Sequence, residues 1–209
     1  MSLDTVDQWV GSLGGIAGLA TLAYAILSMF KSLRGPRGVE EPGARIALRP
    51  PVLLAATILF VLLGALLWRP LPMQLRSWQR VIMVFIGTLL FFGGLALYVW
   101  GMRSLGPMFG PSSGFGVRLH AAHRLVTTGA YAHVRHPMYL GVIAAATGSF
   151  LLYRTWATLG FAIMMFGLAV RGRREESVLA REFGSGWEAY ASEVPAWLPR
   201  LQPRRKGGA

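Results

Sequence analysis

The sequence predicts an all-α, polytopic membrane protein, and three observations carry that reading. Hydrophobic residues make up 54% of the 209-residue chain against 14% charged, and mean hydropathy is positive, which does not describe a water-soluble domain. The apolar residues gather in five runs, Leu13–Phe30, Val52–Trp68, Val81–Trp100, Tyr139–Leu152 and Trp156–Val170, each too long for a strand and rich in Leu, Ala, Ile and Val. Basic residues crowd onto alternate connections between those runs.

The first run is preceded by Asp4 and Asp7 with no Lys or Arg before Lys31. The basic n-region of a secretory signal is missing, so this segment is expected to be retained. Gly11, Gly14, Gly15 and Gly18 here, and Gly87, Gly93 and Gly94 in the third run, are small enough to let helices approach closely. Lys31–Pro50 carries five basic and two acidic residues among Gly and Pro and reads as a loop; Arg69–Arg80 carries three basic residues with Pro70 and Pro72. The last two runs are short against the ~20 residues that cross a bilayer core, so their helices extend past the apolar stretch or tilt. Tyr153-Arg154-Thr155 between them permits only a tight antiparallel hairpin, and four spans with a re-entrant hairpin is the alternative.

Gly101–Met138 and Arg171–Ala209 hold four and eight basic residues, and alternate counting puts seventeen Lys and Arg on one side and four on the other. That places the N-terminus outside and the C-terminus in the cytoplasm. The two stretches then emerge on one face, flank the final hairpin and must be neighbours. The net charge of +12 is read as this positive-inside signal, with no nucleic-acid motif beside it. The absence of cysteine removes disulfides, thiolate nucleophiles and cysteine metal sites. All four histidines, His120, His123, His133 and His136, fall in Gly101–Met138, but no carboxylate lies in that stretch to complete a metal site, and none is expected. The chain is read as one domain: 1–100 with three spans, 101–199 with the last hairpin and the tail, and 200–209 as a disordered basic end. Its Arg200, Arg204, Arg205 and Lys206 suit an anionic leaflet.

Polar and conformationally special residues converge on Gly129–Gly141. Pro137 suits the first turn of a helix, which makes His136 the N-cap and leaves Arg135 just outside. A cation at the positive end of a helix costs a few tenths to ~1 kcal/mol, and an anionic group would relieve it. The plainer alternative lets Arg135 bind lipid headgroups while His136 merely caps. The tail continues the fifth helix from Arg171 to Gly184, a natural stop, and its first acids are Glu175 and Glu176. At the membrane exit such groups are costly unless paired or held in a pocket. An i,i+4 pair with Arg171 can serve one of them. Adjacent residues point about 100° apart on a helix, so at least one glutamate is expected to face the hairpin cleft beneath Arg135 and His136.

These residues resemble the isoprenylcysteine carboxyl methyltransferases and their phospholipid-methyltransferase-like relatives, integral membrane enzymes that use S-adenosyl-L-methionine. The resemblance runs over roughly Leu105–Leu198 and rests on Leu125–Tyr131, Arg135-His136-Pro137-Met138-Tyr139-Leu140-Gly141, Arg171, Glu175-Glu176, Phe183-Gly184, Tyr190, Val194-Pro195 and Leu198-Pro199. It implies a cofactor cleft at the cytoplasmic ends of the last two spans, closed by the tail. Within it Tyr131, His136, Pro137, Tyr139, Leu140, Glu175 and Glu176 would hold S-adenosylmethionine, with Arg135 and Arg171 as the catalytic pair facing the methyl acceptor. The acceptor it implies is lipophilic or lipid-linked, such as the carboxylate of a prenylated cysteine, and enters between helices. Membrane lipids are the other partners; no obligate protein partner is inferred. The chain departs from the pattern at Ala130, where Pro is common, and at Ser185-Gly186-Trp187, where Glu-Glu-Tyr is common. Two alternatives remain at this level: a membrane reductase of the sterol-reductase type with a nicotinamide cofactor, and a non-enzymatic basic membrane scaffold.

Overall fold

The computed structural model describes residues 2–33, 50–106 and 125–199. His120, His123, Pro107, Pro111, the Lys31–Pro50 loop beyond residue 33 and the basic end from Arg200 lie outside them. The described part is helical, with one isolated bridge between Pro70 and Thr155 in place of any strand. The helices are α1 (Leu3–Leu33), α2 (Pro50–Leu66), α3 (Ser77–Leu105), α4 (Pro137–Tyr153), α5 (Trp156–Met165), α6 (Gly167–Phe183) and α7 (Ser185–Glu193), with a 3-10 turn at Gly129–Ala132.

Two of these are long and apolar enough to cross a membrane, α1 over Leu3–Ser28 and α3 over its whole length. Each of the others falls short of the ~20 residues that cross a bilayer core, and the helices of the last two runs extend past their apolar stretches, as expected. α4 has 17 residues, and the fifth run is divided at Phe166 between α5 and α6. The division is slight: Phe166 keeps helical dihedrals and its N–H reaches back three residues to Ile163 O, a tightened turn in an otherwise continuing rod. Gly184 ends α6 with φ at +48°, and its N–H bonds to Ala180 O, as a helix-stopping glycine should.

α1 and α3 also extend past their apolar runs. α1 starts at Leu3, ten residues before the run, because Ser2 Oγ accepts from Thr5 N–H and the acids behind it are paired. Asp7 Oδ2 takes hydrogen bonds of 2.8 Å from both Arg80 and Arg154, and Asp4 sits 2.6 Å from Arg80. Arg154, isolated in sequence within the hairpin turn, is thus half of a clasp joining α1, α3 and the end of α4. At its other end α3 continues through Gly101–Leu105, which the sequence placed in a polar loop.

α3 and α4 form the central pair, antiparallel and backbone to backbone. Gly87, Gly94 and Gly101 recur every seven residues along α3, and Gly141 and Gly148 do so along α4. A Cβ on Gly94 would lie 2.5 Å from Ala145 N and 2.6 Å from Gly141 O; one on Gly141 would lie 2.7 Å from Gly94 O. Helices meeting this closely gain dispersion contacts along the whole seam without needing large side chains. Gly93 faces nothing within 4 Å, so of the third-run glycines only Gly87 and Gly94 pack. Gly101, Gly141 and Gly148 complete the seam, and the seven-residue recurrence was the signal for them.

α1 lies parallel to α3. Gly14 and Gly18 approach Phe91, and Tyr153 Oη donates to Gly11 O at 2.7 Å. The buried cluster Val84, Phe91, Ala145 and Leu152 is the small core of this arrangement. α2 touches α5 through Phe60 and Phe161 and exposes almost every apolar side chain from Val52 to Leu67.

Candidate active site

The polar groups collect at the end of the α3–α4 pair opposite the clasp. Gly129, at φ +62°, begins the 3-10 turn, and any Cβ there would collide with Ser104 Oγ. Ser104 in turn accepts from Ala130 N–H at 3.1 Å and donates to Trp100 O. The turn is thereby pinned to the last turn of α3, which sets where Arg135 and His136 enter α4. Pro137 occupies the first position of α4 with His136 as N-cap. The missing N–H of proline costs nothing there.

His136 does not cap with its side chain. It is buried, and its Nε2 lies 2.9 Å from Glu176 Oε1. The same oxygen is 3.5 Å from Arg135 Nη2, so the anion that relieves Arg135 is Glu176. The headgroup alternative for Arg135 does not hold, since its side chain is only 17% exposed and its guanidinium sits over the Trp187 ring. Glu175 is held from another direction: Tyr139 Oη donates to its Oε1, and Arg171 Nε lies 3.4 Å from that oxygen. Both glutamates therefore face the start of α4, each through its own hydroxyl, imidazole or guanidinium partner. Divergence of neighbouring helical positions by about 100° explains why they need separate sets.

Aromatic rings frame these pairs. His136 stacks on Tyr139 with ring centroids 5.7 Å apart and on Trp197 at 5.1 Å, and Arg171 lies over Tyr139. Gly172 lets α6 come this close: a Cβ there would be 3.2 Å from the Trp197 ring and 3.3 Å from the His136 ring. The tail closes the arrangement with backbone bonds, Arg135 N–H to Pro195 O and His136 N–H to Ala196 O. Tyr190 Oη donates to Tyr131 O at 2.8 Å. Burial pushes the Tyr190 phenol up to about 12, Arg135 pulling it down and Glu176 up, and burial raises the Tyr131 phenol further. Both stay neutral and available for hydrogen bonding across ordinary pH.

Of the site residues expected from sequence, Arg135, His136, Tyr139, Arg171, Glu175 and Glu176 form one connected set. Tyr131 is bonded through its carbonyl to Tyr190, whose ring packs on the Trp187 beneath Arg135. Pro137 is fully buried and its ring turns toward Gly101 of α3, so it seats the helix. Leu140 lies one turn along α4 and donates its N–H to His136 O. His133 packs on Trp100 instead of the glutamates. Trp197 was missed in the sequence; its place beside the Val194-Pro195 and Leu198-Pro199 pairs was the available signal. Among the described residues, Arg135 Nε is the one buried side-chain donor without a partner. An unmet donor on a buried cation costs more than an unmet neutral one, so this atom is suited to an anionic ligand.

The fold and the site together define a helical chain with lipid-compatible helices and a mixed acidic, basic and aromatic cleft at one end. It belongs to the phospholipid methyltransferase family, whose model matches residues 82–186. Over 81 residues, 38% of the chain, it is 38% identical to the protein-S-isoprenylcysteine O-methyltransferase of Schizosaccharomyces pombe, covering 34% of that protein. It is 33% identical over 85 residues, 40% of the chain, to protein-S-isoprenylcysteine O-methyltransferase B of Arabidopsis thaliana, covering 43% of that one. The chain thus spans between about a third and a half of the length of these relatives.

Proposed function

We propose that the chain is an S-adenosylmethionine-dependent methyltransferase that modifies a lipophilic acceptor at a carboxylate, from a cleft on the cytoplasmic face of a five-span membrane domain. The observation that carries this reading is the pair of glutamates, each drawn to its own partners at the start of α4, next to a buried arginine with an unmet Nε–H. The donor is a zwitterion with an extra positive charge on sulfur. Glu175 and Glu176 suit its cationic groups and ribose hydroxyls, Arg135 suits its carboxylate, and the rings of Tyr139, Trp187 and Trp197 suit its adenine and sulfonium. The residues present fit the group.

When bound, the donor supplies a methyl carbon that bonds to the acceptor oxygen as its bond to sulfur breaks, leaving a neutral thioether. The chain's own task is positioning, an effect worth up to ~7–11 kcal/mol of barrier. A carboxylate acceptor needs no base. The His136 geometry agrees with that: a carboxylate accepts, so Nε2 donates its hydrogen to Glu176 and is not free to take a proton there. With Arg135 taken by the donor's carboxylate, Arg171 is the cation left to align an acceptor carboxylate, and a guanidinium does this in two-point fashion. The relatives are named for O-methylation of an S-isoprenylcysteine, which is why we propose an acceptor of that chemistry.

The direction of the helices supports the span count. α1 and α3 run parallel, α4 runs against them, and α5 with α6 returns toward the cleft, as successive crossings require once α2 leads back. The seventeen-to-four division of Lys and Arg supports a cytoplasmic cleft. The test is to titrate the purified protein with S-adenosylmethionine and with nicotinamide nucleotides, then supply a small S-prenylated cysteine with a free carboxylate. Saturable binding of the first and methyl ester formation are expected. Binding of the nucleotides in its place would turn the assignment to the reductase class.

A further inference from the structure

Five tryptophans are exposed, and four of them gather at the clasp end, each from a different element. Trp9 lies near the start of α1, Trp68 just after α2, Trp78 at the start of α3 and Trp156 at the start of α5, with 48% to 62% of each exposed. The clasp sets their level. Trp9 stands two residues from Asp7, Trp78 two from Arg80 and Trp156 two from Arg154, and Asp7 holds both arginines at 2.8 Å. Two residues rise only about 3 Å along a helix, so three rings are brought to nearly one height. The fourth is fixed from the side. Trp68 packs on Tyr153 with ring centroids 5.6 Å apart, and the chain around it is laced to the hairpin turn by Trp156 N–H to Arg69 O, Leu71 N–H to Arg154 O and Ala157 N–H to Leu67 O. Within that lacing Arg154 takes a left-handed conformation, φ +51°, which a non-glycine residue keeps only where its surroundings hold it.

Exposed indoles at one level suit a bilayer boundary, because the ring is amphipathic and settles among lipid headgroups. The charges agree. The ion pairs of Asp4, Asp7, Arg80 and Arg154 would be costly in hydrocarbon, and the exposed apolar side chains begin just inside them, with Val81, Phe85 and Leu89 on α3 and Leu13 and Ile16 on α1. On the other side of the rings, Arg69 directly follows Trp68 and Arg76 lies two residues outside Trp78. Both are exposed, and among the described residues neither forms an ion pair. Asp4 and Asp7 balance Arg80 and Arg154, so these two cations are left over for an anion. α3 gives the distance to the opposite boundary: from Trp78 to Trp100, the fifth exposed indole, the helix rises about 33 Å, close to the ~30 Å of a hydrocarbon core. Trp100 packs on His133, so that boundary passes beside the cleft.

We propose that the clasp end is a rim that docks into the headgroup layer of the leaflet opposite the cleft, with the indoles of Trp9, Trp68, Trp78 and Trp156 at the hydrocarbon boundary and Arg69 and Arg76 on the lipid phosphates beyond it. The inference rests on the membrane-spanning reading above and adds the depth at which the chain sits and the lipid group that its far face takes. The combination selects lipid phosphate: a partner in water would match the two cations but not a level ring of indoles above an apolar belt.

The test places a nitroxide on the full chain, which has no native cysteine, through one of Gln8→Cys, Ile16→Cys, Ser77→Cys, Phe85→Cys or Leu89→Cys, all exposed positions. In phosphatidylcholine vesicles, collision with oxygen is compared with collision with a water-soluble nickel chelate. Labels at Gln8 and Ser77 should both read headgroup depth and agree to within about 5 Å, one helical turn, whereas those at Ile16, Phe85 and Leu89 should favour oxygen. A phosphatidylcholine carrying a photoreactive group in its headgroup should label Trp68–Trp78 above Phe85–Ala96. The double variant Arg69→Gln, Arg76→Gln should cut that labelling at least threefold while the depth readings stay. Different depths at Gln8 and Ser77, either of those labels deep in hydrocarbon or free in water, or undiminished labelling of the double variant would each overturn the inference. The underlying reading fails separately. Nickel-accessible labels at both Phe85 and Leu89 would mean that α3 does not cross the bilayer, whereas oxygen-accessible labels there with a displaced rim remove the rim alone.

Discussion

Replacing Glu176 by Gln keeps the side chain's volume and its acceptor oxygen toward His136 Nε2 but removes the negative charge that lies 2.9 Å from His136 and 3.5 Å from Arg135. Charge-assisted hydrogen bonds contribute roughly 1.5–3 kcal/mol, and the pair is screened only in part, with Glu176 24% and Arg135 17% exposed. If Glu176 also receives a cationic group of the donor, the loss appears in binding. Converted at about 1.4 kcal/mol per decade, it raises the dissociation constant for S-adenosylmethionine about 10- to 150-fold. Isothermal titration of the detergent-purified protein measures this, with Glu182→Gln, an exposed acid further along α6, as the control that should bind like the parent. A Glu176→Gln protein that melts several degrees lower yet binds the donor within twofold of the parent would refute the reasoning. Glu176 would then serve to neutralise Arg135, and the donor site would lie elsewhere.

Three more outcomes are expected. Gly148→Ala would press its methyl onto Phe91 N and to within 2.7 Å of Gly87 O, an overpacking cost of about 1–3 kcal/mol; thermal melts should show the loss, while Gly93→Ala, facing open space, should match or exceed the parent because Ala is the better helix former. A cysteine at Ser77, exposed at the clasp end of α3, should react with a membrane-impermeant thiol reagent from outside intact cells, and one at Ser192, exposed on α7 at the cleft end, should not; the opposite pattern would reverse the proposed orientation. Arg171→Ala should lower single-turnover methyl transfer far more than donor affinity, with little recovery in Arg171→Lys; a parallel fall in donor affinity and melting temperature at an unchanged rate would make Arg171 a partner of Glu175 and nothing more.

The cleft was largely legible in the sequence because its signals are local. Proline after His136 fixes the helix start, and two adjacent acids at a helix exit must find partners, so the meeting of α4 and α6 follows from the short Tyr153–Thr155 link. Arg154 and Trp197 were not legible, for one reason: their roles depend on residues 147 and 61 positions away. Asp7 meets Arg154, and His136 meets Trp197, only once α1 and the tail have folded back. Helix lengths misled for a different reason. Hydropathy marks where side chains are apolar, not where backbone hydrogen bonds stop, so Ser2 and the Asp7 clasp could carry α1 to Leu3 and Ser104 could keep α3 helical to Leu105.

The glycine seam gives the cleft one wall that cannot shift and one that can. Between α3 and α4 the backbones already touch through Gly94, Gly141 and Gly148, so sliding or parting them sacrifices dispersion contacts along the whole pair. His136 and Tyr139 stand five and two residues before Gly141, and the turn preceding them is pinned by Ser104, so their positions are set by the seam. Glu175 and Glu176 reach them from α6 through side chains alone, and the strap of Pro195 and Ala196 adds two backbone hydrogen bonds. Each of those bonds contributes only about 0.5–1.5 kcal/mol net. The tightened turn at Phe166, where a Cβ on Gly167 would meet nothing within 4 Å, lies on the same rod roughly 1.4 turns before Arg171. Any opening that admits a ligand therefore costs least on the α6 and tail side, where ion pairs can exchange protein partners for ligand groups, and the α4 wall supplies the fixed frame against which they are aligned.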